Sequence, residues 1–234
     1  MFFFVIFLLA RFFLSRKKEK MSTSSGKLEL IVGPMFSGKT TETQRRVKRF
    51  EIAKMKTLKI KSSFDTRYSK SQIVSHEKQK MDADFCVDSL CDDEELLERV
   101  KSSDVVVIDD AHFLQKEGDL YKFCWNTCFV LKKLVIVNGI DCNWMGEPFV
   151  EVVKLLAIAE EIVKLKSVCD TCKNQNAIFT TKYTEDGGCG KVVVLEIGEK
   201  DKYNPACPRC YSVFYERCDV EELKKQKKEL EEID

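Results

Sequence analysis

Gly33-Pro34-Met35-Phe36-Ser37-Gly38-Lys39-Thr40 has the spacing G-x-x-x-x-G-K-[ST]. Glycines at those positions let backbone N–H groups turn toward phosphate oxygens, and a helix opening behind the loop adds partial positive charge. In such a loop the Lys39 ammonium would reach the β- and γ-phosphates of a nucleoside triphosphate, and the Thr40 hydroxyl would ligate magnesium. A second pattern supports the first. Val105-Val106-Val107-Ile108-Asp109-Asp110 is an apolar run ending in two acids. Asp109 would hold magnesium, directly or through water. Asp110 could take the proton of an acceptor hydroxyl, a poor nucleophile until a positioned carboxylate reaches it.

Cys169-x-x-Cys172 and Cys207-x-x-Cys210 carry different chemistry. Each pair can place two thiolates on one ion, and together they complete a closed tetrahedral zinc site of structural type. The other seven cysteines (86, 91, 124, 128, 142, 189 and 218) show no ligand spacing and read as core or incidental thiols.

These groups need a scaffold. Leu28–Val32, Thr57–Ile60, Val105–Ile108 and Leu134–Val137 read as buried strands. Thr40–Met55, Asp92–Lys101, Asp119–Leu131 and Pro148–Ala157 read as the helices between them. Such alternation implies a parallel sheet with helices on both faces. Ile162–Val168 reads as a last strand leading into the cysteines, where Ile178–Tyr183 and Lys191–Leu195 suggest a hairpin. Four segments result: a leader (1–26), an α/β domain (27–166), a small metal module (167–218) and a charged tail (219–234).

The 39 basic and 38 acidic residues nearly cancel, so bulk charge suggests no nucleic-acid partner and any ligand site must be local. Met1–Leu14 is apolar except for Arg11 and precedes the basic Arg16–Lys20. It is shorter than the roughly 20 residues a spanning helix needs. Two readings stand: translation from Met21, or a membrane anchor. Both leave the domain facing the cytosol, and a membrane partner is not expected.

The loop, Asp65-Thr66-Arg67-Tyr68-Ser69, Asp109-Asp110-Ala111-His112-Phe113, the cysteine pairs and Gly198-Glu199-Lys200-Asp201-Lys202-Tyr203 occur in one chain order. This order resembles the zinc-containing, cytosolic-type (type II) thymidine kinases. The resemblance implies a P-loop NTPase-like (RecA-like) sheet and a zinc-ribbon-like module carrying a lasso loop. It implies transfer of the γ-phosphate of ATP to the 5′-hydroxyl of thymidine or deoxyuridine, in a cytoplasmic homotetramer or homodimer. By position, Asp65, Thr66, Arg67 and His112 join the ATP site. Asp110 stands at the catalytic carboxylate, and Phe113, Trp144 and Phe149 surround the base. Val194, Leu195, Glu196, Ile197, Gly198 and Tyr203 form the lasso. Several positions depart from the family pattern. Asp110 stands where Glu is usual, His112 replaces Gln, Gln44 replaces Met, and Glu199 replaces a glycine of the lasso. These substitutions keep open a second reading, a non-catalytic homologue that binds ATP or nucleoside as a regulatory subunit.

Overall fold

The computed structural model describes residues 26–65, 72–74, 80–182 and 202–231. The chain runs β1 (Lys27–Val32), α1 (Lys39–Ile52), β2 (Thr57–Ser62), β3 (Gln72–Val74), β4 (Lys80–Asp82), β5 (Phe85–Val87), α2 (Glu94–Ser102) and β6 (Val105–Asp109). It continues through α3 (Asp119–Trp125), β7 (Leu134–Gly139), α4 (Val150–Lys154) and β8 (Glu161–Lys164). The cysteine module follows with β9 (Ser167–Val168), β10 (Asn176–Ala177), β11 (Phe179–Lys182), β12 (Tyr203–Ala206) and α5 (Pro208–Arg217), and then α6 (Val220–Glu231).

Six strands form one sheet in the order β5-β2-β6-β7-β1-β8. Every pairing within it is parallel. Parallel sheets bury both faces, so their strands read as near-continuous apolar runs. One face presents Leu28, Leu30, Leu58, Ile60, Val106, Ile108, Val135 and Val137 to Leu96 and Val100 of α2, Leu120 and Phe123 of α3, and Val152 of α4. The opposite face presents Ile31, Val105, Val107 and Ile136 to Val47 and Phe50 of α1. The expected arrangement with helices on both faces is present: among the described residues, α1 covers one face and α2, α3 and α4 the other.

The boundaries differ from the sequence expectations where a cap or a sheet contact decides them. The second helix starts at Glu94 because the Asp93 side chain accepts from the Leu96 N–H at 2.9 Å, capping the first turn. The expected helix Asp119–Leu131 is α-helical only to Trp125 and continues as a π turn over Asn126–Val130. Pro148–Ala157 narrows to α4 and a 3₁₀ turn at Leu155–Ala157. The single strand expected over Ile162–Val168 is two: β8 pairs with β1 in the main sheet, and β9 pairs with β10 in the cysteine module. The strand expected from Ile178 pairs, as β11, with Tyr203–Ala206. The expected partner Lys191–Leu195 lies outside the described residues. Cys124 and Cys128 are core residues as expected, whereas Cys218 is held in a disulfide. No described helix is long and apolar enough to cross a membrane.

Candidate active site and metal centre

The phosphate loop joins β1 to α1 at the C-terminal end of the sheet, where open α/β sheets place their ligands. Gly33 has φ +152°, and a Cβ there would stand 2.6 Å from the Leu165 carbonyl oxygen. Gly38 caps α1 at φ 83°. Phe36 takes a left-handed φ of 61° between them. The Lys39 ammonium donates to the Pro34 carbonyl at 2.8 Å, which holds it over its own loop. The Ser37 hydroxyl is buried without a hydrogen-bond partner among the described residues. A loop of turned backbone with a buried lysine and an orphaned hydroxyl fits a triphosphate.

The two acids close β6 beside this loop. Asp109 is buried, and its Oδ1 accepts from Asn138 Nδ2 at 2.6 Å. The same amide nitrogen donates to Thr43 Oγ1 at 2.9 Å, and that hydroxyl donates to the Lys39 carbonyl at 3.0 Å. Asp110 stands in the left-handed region at φ 48°, and its N–H donates to Asn138 Oδ1 at 3.0 Å. That conformation is uncommon for a residue with a side chain and is tolerated best by Asn and Asp. In the register of β2 and β6, Lys61 lies opposite Asp109, and the Lys61 ammonium pairs with Asp65 at 3.2 Å. The structure therefore brings Lys39, Asp65, Asp109 and Asp110 to one edge of the sheet. Thr40, half-buried, opens α1 behind the loop. Thr66 and Arg67 lie outside the described residues.

The aromatic residues expected around a base fall into two groups. The His112 ring lies 4.2 Å from Phe113 and 5.3 Å from Phe149 between centroids. Its Nδ1 accepts from the Ile140 N–H at 3.4 Å, which leaves the proton of the neutral ring on Nε2. His112 and Phe149 also line a cavity of about 360 Å³ with Gln115, Asn143 and Glu151. Trp144 instead packs with Met35 of the phosphate loop, Tyr203, Tyr211 and Phe214. The Lys182 ammonium stands 5.7 Å from the Trp144 ring centroid and 6.0 Å from that of Tyr203. Ile140 packs against both groups and joins them. Val194, Leu195, Glu196, Ile197 and Gly198 lie outside the described residues.

The four cysteines converge as their spacing requires: the Sγ atoms of Cys169, Cys172, Cys207 and Cys210 all lie within 4.8 Å of one another. Cys169 follows β9, and Cys207 caps α5 with Pro208 at its first turn, so one pair sits on a short hairpin and the other on a helix start. Four thiolates at this separation fit one tetrahedral zinc ion with no open position. The module also touches the phosphate loop. The Met35 N–H donates to Thr180 Oγ1 at 3.2 Å, and Ser167 Oγ donates to the Phe36 carbonyl at 3.1 Å.

The sequence matches the family described as Thymidine kinase over residues 26–211. The chain belongs to the thymidine kinase family. Thymidine kinase 1 of Dictyostelium discoideum is 38% identical over 192 residues, covering 80% of this chain and 78% of that protein. The cytosolic thymidine kinase of Homo sapiens is 37% identical over 190 residues, covering 81% and 75%. The thymidine kinase of Choristoneura fumiferana entomopoxvirus is 33% identical over 189 residues, covering 79% and 96%. Membership makes the chain a phosphotransferase with a cysteine cluster consistent with zinc.

Two features of this thymidine kinase site escaped the sequence reading. Asn138 is fully buried between the acids and α1, and its signal was a polar residue closing the apolar run Leu134–Val137. Thr180 and Ser167 carry the contact between the cysteine module and the phosphate loop. Nothing in their local sequence marks them, because the contact joins residues more than 130 positions apart in sequence.

Proposed function

We propose that this protein transfers the γ-phosphate of ATP to the 5′-hydroxyl of thymidine or deoxyuridine in cytoplasmic nucleotide salvage, with Asp110 as the base. The observation that carries the reading is the convergence of the phosphate loop and the Asp109–Asp110 turn through Asn138. Backbone N–H groups of the turn Phe36–Thr40 would face the phosphates, and the Lys39 ammonium, seated on the Pro34 carbonyl at 2.8 Å, is the group that would reach the phosphoryl oxygens. Thr40 and Asp109 are the residues that would hold magnesium, which supplies charge neutralisation on the phosphates when bound. Asp65, Thr66 and Arg67 complete the phosphate side of the site. Asp110 orients the 5′-hydroxyl and takes its proton, so catalysis is mainly positioning and electrostatics. His112, expected on the ATP side, is assigned to the base-side wall with Phe113 and Phe149, because its ring lies against both.

The finer architecture is part of the same proposal. A RecA-like sheet is supported by the strand order, in which β7 separates the phosphate-loop strand β1 from the acid-bearing strand β6. We assign residues 27–166 to the kinase domain and 167–218 to a zinc module. On the family resemblance, Val194–Gly198, outside the described residues, and Tyr203 are assigned to the nucleoside as its lasso. Trp144 supports the assignment, since it packs with both Tyr203 and Met35 of the phosphate loop. Assembly as a homodimer or homotetramer rests on the family resemblance.

The test is phosphate transfer from ATP to a panel of deoxynucleosides, beside Asp110→Asn. Turnover on thymidine or deoxyuridine is expected, falling at least a hundredfold in Asp110→Asn, within the range a general base contributes. Full activity in that variant would remove Asp110 from the role of base. Turnover confined to another nucleoside would overturn the acceptor.

A further inference from the structure

We propose that Asn138 is a positioning residue for phosphoryl transfer, holding the metal-side acid and the base-side acid in register with the phosphate loop. The proposal rests on the roles given above to Asp109 and Asp110. Asn138 is fully buried at the C-terminal end of β7, the strand between the phosphate-loop strand and the acid-bearing strand. From that place its carboxamide meets both neighbours. Nδ2 donates to Asp109 Oδ1 at 2.6 Å and to Thr43 Oγ1 at 2.9 Å. Oδ1 accepts from the Asp110 N–H at 3.0 Å.

The direction of every bond is fixed. The Thr43 hydroxyl spends its proton on the Lys39 carbonyl at 3.0 Å, so toward Asn138 it can only accept. Asp109 Oδ1 accepts from the carboxamide nitrogen, as a carboxylate oxygen does. The Asp110 N–H can only donate. Turning the carboxamide over would face its oxygen to a carboxylate and its NH₂ to another donor. One orientation therefore satisfies all three neighbours, and it links helix α1, directly behind Lys39 and Thr40, to the two-acid turn.

The Asp110 contact has a further consequence. A left-handed residue persists where its surroundings over-determine it. The Asn138 carbonyl engages the N–H of that residue and so sets the direction in which the Asp110 side chain leaves the chain. The Asp109 contact uses one carboxylate oxygen and so orients the other. Neither effect needs Asn138 to touch a substrate.

The experiment compares full-length wild type, Asn138→Ala, Asn138→Asp and Thr43→Val by steady-state phosphate transfer at varied thymidine and varied magnesium, with thermal melting alongside. Asn138→Ala is expected to lower kcat tenfold or more, change the thymidine KM less than threefold, and raise the magnesium concentration at half-maximal rate. Asn138→Asp keeps the shape and the acceptor for the Asp110 N–H but sets a carboxylate against Asp109. It is expected to fold and to show the larger magnesium shift. Thr43→Val removes the link to α1 together with the hydroxyl's bond to the Lys39 carbonyl, leaves both acid contacts of Asn138 in place, and is expected to have a smaller kcat effect. If Asn138→Ala lowers the melting temperature while kcat and the magnesium requirement stay at wild-type values, the residue is structural only and the proposal fails. If Asn138→Ala does not fold, Asn138→Asp decides by the same criterion: wild-type kcat and magnesium requirement overturn the proposal. Absence of turnover in the wild type would overturn the kinase reading itself, a distinct result.

Discussion

Single residues in this site are constrained by neighbours that leave one solution. Gly33 combines φ +152° with a carbonyl oxygen 2.6 Å from where a Cβ would stand, so even alanine must push the loop away from Leu165. Gly38 has φ 83° and nothing within 4 Å of a Cβ, so alanine there meets only the backbone penalty of about 1–2 kcal/mol. Gly33→Ala is therefore expected to weaken binding of a non-hydrolysable ATP analogue by at least tenfold, and Gly38→Ala by less. Calorimetric titration of both variants checks the order, and equal losses would mean that the Leu165 contact has no part in it. Glu42 supplies a pH signature. The hydrogen bond from Arg45, with a second from Arg46, holds its carboxyl at about 2 against an ordinary 4.5. A depressed carboxylate stabilises the fold fully above its ordinary value and loses that contribution as pH falls toward its folded one. Wild type should therefore lose stability relative to Glu42→Gln between pH 4.5 and 2, in denaturant titrations across that range. A constant difference between the two proteins would show that the pair is already broken in solution.

The elements owe their ends to side chains as much as to apolar pattern. Asp93 caps α2, and alanine there should cost about 1 kcal/mol with unchanged kcat, since the helix packs on the sheet away from the phosphate loop. Asp119 opens α3 and reaches back to an earlier loop, accepting from Leu90 N–H at 2.6 Å and Cys91 N–H at 3.0 Å. It is 4% exposed, so truncation would leave buried donors unmet. Asp119→Ala should therefore cost about 2–3 kcal/mol, clearly more than Asp93→Ala. Chemical denaturation of the pair measures the difference, and equal costs would show that water satisfies the amides in the variant.

At the scale of the whole molecule, a six-stranded sheet carries the phosphate loop and the acids, and a small cysteine module leans on that loop. Around the four cysteines the module buries only Cys169, Ala177 and Cys207, while Tyr203, Tyr211 and Phe214 pack with Trp144, so metal binding would supply the cohesion of the cysteine end. Its contacts from Thr180 and Ser167 to the loop backbone make two routes by which metal loss can act. Stripping the cysteine-bound metal with a chelator, or Cys210→Ser, should lower the melting temperature and weaken thymidine binding before ATP binding. Fluorescence of Trp144, which packs with Tyr203 and Met35, should change in parallel. Unchanged nucleoside affinity after verified metal removal would mean that the module does not hold the acceptor site.

Much of this was legible in the chain alone, for local reasons. The phosphate loop is a contiguous pattern whose glycines answer to backbone sterics. The paired cysteines answer to metal geometry, and the four apolar runs answer to burial on both faces of a parallel sheet. Asp109 and Asp110 were expected from the residues and Asp65 from the family resemblance, and all three lie at the C-terminal end of the sheet. What the chain could not show depends on which distant segments meet. The order β5-β2-β6-β7-β1-β8 put β7 between the phosphate-loop strand and the acid-bearing strand, and only that order turns Asn138 from a stray polar residue into the link between them. The division of Ile162–Val168 into two strands, the separation of Trp144 from Phe113 and Phe149, and the seat of Thr180 on the Met35 amide were decided the same way. Sterics and metal geometry act over a few residues and leave marks in sequence; packing chooses partners across more than a hundred and leaves none.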